Sequence, residues 1–248
     1  MKTTIRYVLL CALHDRLFYG LLALIIAIAG IANVLGGTAF LEYPEMIITF
    51  TASASRLVLV ITAIVFVCFY IKSSFDHKHM DVMLSRPVSR DHIVLSHWLG
   101  FAVVSTLMVL PILCILMLFD TIHMVGVLWW SISMILELWI VVAFALFASL
   151  IMKSAVISVL ASLAFYTLSR MIILFIMTAE RSSNMPLLRE LLDSVLLVMP
   201  RMDLFSKSEW LIYGSVKGLH MDYIILQTLL YTSFLSVMCM LDFRKKQF

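Results

Sequence analysis

Apolar residues along this chain are grouped into long runs in which charged residues are scarce. A helix that crosses a bilayer needs roughly 20 mostly apolar residues, and it satisfies its backbone hydrogen bonds internally, as lipid requires. Six stretches meet that length. They are residues 17–36, 47–71, 98–119, 125–152, 155–178 and 223–241. The pattern predicts an all-α polytopic membrane protein with six transmembrane helices.

Two segments outside these runs have the spacing of amphipathic helices. In residues 1–16 an apolar stripe recurs at helical intervals, which predicts a helix along the inner membrane surface or, alternatively, an inward extension of the first span. In the outer segment 179–222, a second stripe between Leu187 and Met199 ends at Pro200 and predicts short outer helices between helices 5 and 6. The first stripe consists of Ile5, Val8, Leu9, Ala12 and Leu13.

Composition identifies lipid as the solvent for these runs. Of the 248 residues, 63% are hydrophobic and 13% are charged, whereas a soluble domain is about 45–50% apolar and about 25% charged. This excludes a disordered chain, a disulfide-rich secreted module and an ordinary cytosolic enzyme. The net charge of +3 is too small to suggest nucleic acid as a partner. We expect one transmembrane domain over residues 1–248.

The positions of the basic residues predict an orientation. Short cytoplasmic loops carry an excess of lysine and arginine, whereas long loops largely escape this rule. If both termini are cytoplasmic, eleven basic residues lie on that side and the short outer loops hold none. The eleven are Lys2, Arg6, Arg16, Lys72, Lys78, Arg86, Arg90, Lys153, Arg244, Lys245 and Lys246.

Motifs for catalysis or metal binding are weak in this sequence. It has no GxxxxGK[ST], HExxH, GxSxG or GxGxxG pattern. Asp76, His77, His79 and Asp81 form the tightest group of His and acidic residues, but His77 and Asp81 alone are two ligands without a third, so a solvated loop is the better interpretation. We expect no enzyme activity, cofactor or metal site in this chain by itself.

The connection between spans two and three, residues 72–97, has the most distinctive sequence. An amphipathic stretch is followed by an Arg86-Pro87 break and by Ser89 at an N-cap position. Apolar side chains on such a loop predict a partner protein or, alternatively, packing against the inner ends of the spans. These side chains are Phe75, Val82, Met83 and Leu84.

The run MLSRPVSRDHIVLSHWLG in this connection resembles the signature of ATP-binding cassette (ABC) transporter type-2 permease subunits. The match is position by position from Met83 to Arg90, whereas Lys78 and His79 stand where the family usually has Gly and Thr. The stretch MPRMDLFSKSEWLIYG, from Met199, resembles the NosY-like branch of that family. The resemblance implies a role in ATPase coupling for Asp76, Asp81, Met83, Leu84, Ser85, Arg86, Pro87, Val88, Ser89 and Arg90.

The same resemblance implies partners and a location. Two such six-helix subunits, as a homodimer or heterodimer, would pair with two copies of a cytoplasmic ABC ATP-binding subunit, which binds the ATP and Mg. The chain would then be a permease in the bacterial inner membrane, surrounded by lipid, that uses a coupling helix and exports a substrate. The alternative is an integral-membrane scaffold or assembly factor that transports nothing and recruits a cytoplasmic partner.

Three ionisable residues fall within the predicted spans: Arg56, Glu137 and Arg170. Each lies fifteen residues from the inner end of its span, which places all three roughly 22 Å from the cytoplasmic boundary at about 1.5 Å per residue. A charge near the bilayer centre costs about 2.5–3.5 kcal/mol, so each should have a partner. We expect Glu137 to pair with Arg170 or with Arg56, either as part of a translocation path or as a structural lock between helices.

Overall fold

The computed structural model describes residues 2–14, 16–36, 43–76, 90–119, 122–181, 199–214 and 221–245, and helices dominate these ranges. Eight α-helices and one 3-10 helix occur in them. They are α1 (Lys2–His14), α2 (Arg16–Gly36), α3 (Tyr43–Asp76), α4 (Arg90–Leu116), α5 (Met124–Ile151), α6 (Ala155–Arg181), the 3-10 helix (Met202–Phe205), α7 (Glu209–Tyr213) and α8 (Met221–Lys245).

Five of these helices, α3, α4, α5, α6 and α8, are long and apolar enough to cross a membrane. The protein is therefore a multi-pass membrane protein by length and composition. The helix α2 contributes a shorter apolar stretch, Tyr19–Ala32, so the sixth span stays a prediction. Several helices continue past the apolar runs; α3, for example, ends at Asp76 with Lys72 Nζ 3.6 Å from the Asp76 carboxylate, one turn apart.

The helix α5 lies at the centre of the bundle, in contact with α3, α4, α6 and α8. In its most apolar stretch 67% of the residues are buried, compared with 28% in α6. Trp130, Met134 and Leu138 are completely enclosed. A helix that is hydrophobic on all sides is expected in such a position, whereas α6 and α8 leave one face free for lipid.

At one end of the bundle, here called the base, α1 packs against α4. A Cβ atom at Gly100 would lie 3.2 Å from Cβ of Val8, so the missing side chain lets the two helices approach closely. Val8 and Ala12 of the predicted apolar stripe are buried. The stripe therefore contacts protein, and the location of α1 at a membrane surface stays a prediction.

At the opposite end, residues 199–214 form a segment that we call the cap. A Cβ atom at Gly126, near the start of α5, would lie 1.8 Å from the carbonyl oxygen of Trp210, so only glycine fits there. The His123 N–H donates to the Leu211 carbonyl at 3.1 Å. Gly214, with a φ of 57°, ends α7 in the left-handed conformation that glycine favours. The cap is thus fixed to α5.

The predicted helix over residues 187–199 lies outside the described residues except for Met199.

A buried ion cluster as the candidate functional site

An ion pair between α3 and α5 lies in the interior of the bundle. Arg56 Nη1 donates to Glu137 Oε2 at 2.6 Å, and the two side chains are 1% and 0% exposed. Burial of two charges is unfavourable unless they are paired and their remaining polar atoms find partners. Neighbouring residues provide hydrogen-bond partners for most of the remaining polar atoms of this pair.

The remaining donors of Arg56 bind the cap and α5. Nη1 donates to the Phe205 carbonyl at 2.7 Å, and Nη2 donates to Ser133 Oγ at 3.3 Å. Ser133 Oγ also donates to the Phe205 carbonyl at 2.9 Å. The guanidinium carbon lies 4.9 Å from the ring centre of Trp130, within cation-π range. Arg56 therefore connects α3, α5 and the cap.

The second carboxylate oxygen of Glu137 faces α6. Tyr166 donates its hydroxyl proton to Glu137 Oε1 at 3.0 Å, and Arg170 Nη1 lies 3.6 Å from the same oxygen. Arg170 also donates to the Tyr166 hydroxyl oxygen. Its side chain is 31% exposed, so it lies at the edge of the cluster.

Counting residues along the spans placed Arg56, Glu137 and Arg170 at one level and left the two arginines as alternative partners of the carboxylate. In the structure, both lie against Glu137. Sequence reasoning missed Tyr166, although it lies one helical turn before Arg170 and so shares its face. It also missed the Phe205 carbonyl, because a sequence pattern does not indicate that a loop folds back onto a bundle.

Buried polar atoms without a partner accompany the cluster. Among the residues that the structure describes, several buried side-chain atoms between the level of Glu137 and the cap have no hydrogen-bond partner. A buried polar atom without a partner is unfavourable, and more so in a membrane protein, where water is scarce. They include Thr51 Oγ1, Ser55 Oγ, Trp130 Nε1, Ser169 Oγ and both amide atoms of Gln227.

The predicted coupling residues lie at the base, where only two of the ten are described. Asp76 ends α3 and Arg90 begins α4, whereas the eight from Asp81 to Ser89 lie outside the described residues. Next to Arg90, Asp91 accepts from Arg244 Nε at 2.9 Å and from Nη2 of the same side chain. This pair joins the start of α4 to the last turn of α8.

A metal site at Asp76, His77, His79 and Asp81 was already the weaker interpretation of the sequence. Of these residues only Asp76 is described, and within the described parts of the chain no group of three or more His, Cys, Asp or Glu side chains is arranged to hold a metal ion. The ion cluster is consequently the candidate site with the most complete geometry. It connects three spanning helices and the cap through charged groups, so a change in their relative tilt must break some of its contacts.

Comparison of the chain with models of known protein families gives no match. Comparison with curated protein sequences gives no match either. Function is therefore inferred from the residues and their geometry.

Proposed function

We propose that this chain is the membrane-spanning permease subunit of an ABC transporter. It would couple ATP hydrolysis by a separate ATP-binding subunit to export of a substrate across the bacterial inner membrane. The observation that carries the proposal is the run MLSRPVSR, from Met83 to Arg90, between two long apolar helices. The run resembles the segment with which type-2 permeases contact their ATPase.

The placement of this run in the chain supports the proposal. Helix α3 is described to Asp76 and α4 from Arg90, so the run lies in the sequence that connects two spanning helices. One of them, α3, is 34 residues long and carries Arg56 of the ion cluster. A partner that binds the loop differently with and without ATP would shift the populations of two helix arrangements, and α3 links that loop to the cluster by a continuous helix.

The proposed complex contains two permease copies and two ATP-binding subunits. In each permease α2 supplies the sixth span, α1 lies at the cytoplasmic surface, and both chain termini are cytoplasmic. The base of the bundle then faces the ATPase and the cap faces outward. In this orientation the ion cluster lies in the outer part of the translocation path, where it would separate or reorganise as the path opens.

Charge and apolar changes in the loop test this coupling. We expect Arg86→Glu and Leu84→Asp to abolish co-purification with the ATP-binding subunit or to uncouple its ATP hydrolysis in proteoliposomes. Matched controls lie in the turn between α5 and α6, which is also predicted to be cytoplasmic: Lys153→Glu and Met152→Asp should leave both properties unchanged.

Two outcomes would contradict the proposal. If Arg86→Glu and Leu84→Asp bind the ATPase and stimulate its hydrolysis as well as the unmodified chain does, the loop is not the coupling element. If purification from native membranes captures a cytoplasmic partner that binds no nucleotide, the scaffold function replaces the transporter function.

A further inference from the structure

The ion cluster is not electrically balanced. Arg56 and Arg170 supply two positive charges, and Glu137 supplies one negative charge. The shorter and more buried contact of the carboxylate is with Arg56, at 2.6 Å compared with 3.6 Å for Arg170. The excess positive charge therefore belongs mainly to Arg170.

The two arginines differ in the donors that they have left. Both terminal nitrogens of Arg56 donate to protein atoms, at Glu137, Phe205 and Ser133. The polar contacts of Arg170, in the part of the chain that the structure describes, all involve Nη1. Its Nη2 and Nε are thus able to bind a further acceptor, and the side chain is 31% exposed, so such an acceptor can reach it.

A second, independent observation concerns the hydroxyl of Ser169. Ser169 precedes Arg170 in α6, is completely buried, and has no hydrogen-bond partner for Oγ. It follows Tyr166 by three residues, which places it on the helix face that carries the cluster. In α3, which contacts α6, Ser55 Oγ next to Arg56 in the sequence is likewise buried and unpartnered. An ionic group with several oxygen acceptors would satisfy such donors.

We propose that Arg170, supported by the hydroxyl of Ser169, binds an oxyanion beside the ion cluster. Guanidinium binds phosphate and related groups through two parallel N–H donors, and Nη2 and Nε of Arg170 form such a pair. The identification of this oxyanion as the transported group rests on the proposed function. The binding site itself does not.

Thermal unfolding of the purified full-length chain tests the site without any transport assay. A ligand at about 100 times its dissociation constant should raise the midpoint temperature by about 5 °C or more for a chain of this size. The probes are inorganic phosphate, with chloride at the same ionic strength as reference, and nanodiscs that contain phosphatidylglycerol in place of phosphatidylcholine. A shift with phosphate indicates a soluble oxyanion, whereas a shift with phosphatidylglycerol alone indicates a lipid headgroup.

Three variants assign the shift to the site. Arg170→Gln should abolish it, and Arg170→Lys should retain a smaller shift because the point charge remains but the paired donors are lost. Arg201→Gln is the matched control. Arg201 is 34% exposed and, like Arg170, has donors left, with Nε buried and unpartnered, but its charge is balanced by Asp203 at 3.1 Å in the cap. This variant should keep the full shift.

The inference is overturned if neither anion shifts the unmodified chain, or if Arg170→Gln shifts as much as Arg201→Gln. Either result leaves the proposed function standing, because co-purification of the ATPase and its loss in Arg86→Glu do not depend on Arg170. Conversely, an anion-dependent shift in a chain that captures no ATPase would support the site and contradict the transporter function.

Discussion

The two halves of the bundle, on either side of the level of Glu137, are built differently. In the base half the helices meet through aliphatic and aromatic side chains, and buried hydroxyls bind helix carbonyls: Ser149 Oγ donates to Leu146 at 2.8 Å and Ser162 Oγ to Ser158 at 2.8 Å. Residues of this packing include Leu59, Ile64, Val67, Ile71, Val141, Leu146, Leu150 and Phe243.

In the cap half, by contrast, three charged side chains, a tyrosine and a loop carbonyl meet in the interior. Most of the buried, unpartnered polar atoms in the described residues also lie in this half, whereas Trp98 Nε1 lies in the base half. A close-packed apolar core resists small deformations and moves as a unit. A set of directional polar contacts has alternative arrangements that can exchange. If the helices move as the proposed function requires, the difference predicts that the base half moves as a unit and that the rearrangement occurs in the cap half.

Among changes to the two halves, removal of the central carboxylate should lower the free energy of unfolding most. Glu137→Gln leaves the buried Arg56 without its counter-charge, and we expect the free energy of unfolding to fall by about 3–5 kcal/mol. Denaturant or thermal unfolding in detergent measures it. Glu209→Gln, which changes an exposed carboxylate in the cap, is the control and should have no resolvable effect. Equal stability of both variants would show that the cluster does not hold the cap half together.

The two arginines should differ in their contribution. Arg56→Gln removes a fully buried group with donors to three residues, and we expect a loss of about 3 kcal/mol. Arg170→Gln removes a partly exposed group and leaves the ion pair between Arg56 and Glu137 intact, so we expect about 1 kcal/mol. Unfolding of both variants under one condition checks the order. A larger loss for Arg170→Gln would reverse the assignment of the main ion pair.

The attachment of the cap should depend on one glycine. Gly126→Ala places a Cβ atom against the Trp210 carbonyl, so the cap must shift, at a loss of about 1–3 kcal/mol. Limited proteolysis of the cap and thermal unfolding measure this. Gly20→Ala is the matched control because nothing lies within 4 Å of its added Cβ; it should stabilise α2 by about 0.5–1 kcal/mol. Similar behaviour of the two variants would contradict the close contact.

The smallest effect is expected at the base. Asp91→Asn breaks the ion pair with Arg244 at the ends of α4 and α8, but exposed ion pairs contribute little and are screened by salt. We expect no resolvable change in unfolding at physiological salt and a small loss at low salt. A large, salt-independent loss would show that the base depends on charge as much as the cap half does.

The spanning helices and the shared level of the three charged residues could be predicted from the sequence. The apolar runs predicted six spans, and five of them are helices that the structure shows to be long and apolar enough to cross a membrane. The depth count brought Arg56, Glu137 and Arg170 to one level. The length of an apolar run determines whether its helix can span the membrane, and the rise per residue determines the depth of a charged residue within it. The approach of Phe205 to Arg56 could not be predicted, since it depends on a close contact at Gly126 and on loop geometry. Neither has a periodic signal in the sequence.

Helix separations in the two halves, measured while the proposed ATPase partner is changed from its ADP-bound to its ATP-bound state, test most directly whether the halves move differently. Spin labels at Leu57 and Met171, both exposed, would report on α3 and α6 beside the cluster, and labels at Phe69 and Val156 on the same helices in the base half. Between the ADP-bound and ATP-bound complex, we expect the first distance to change and the second distance to stay the same. An unchanged first distance, or an equal change in both, would contradict this expectation.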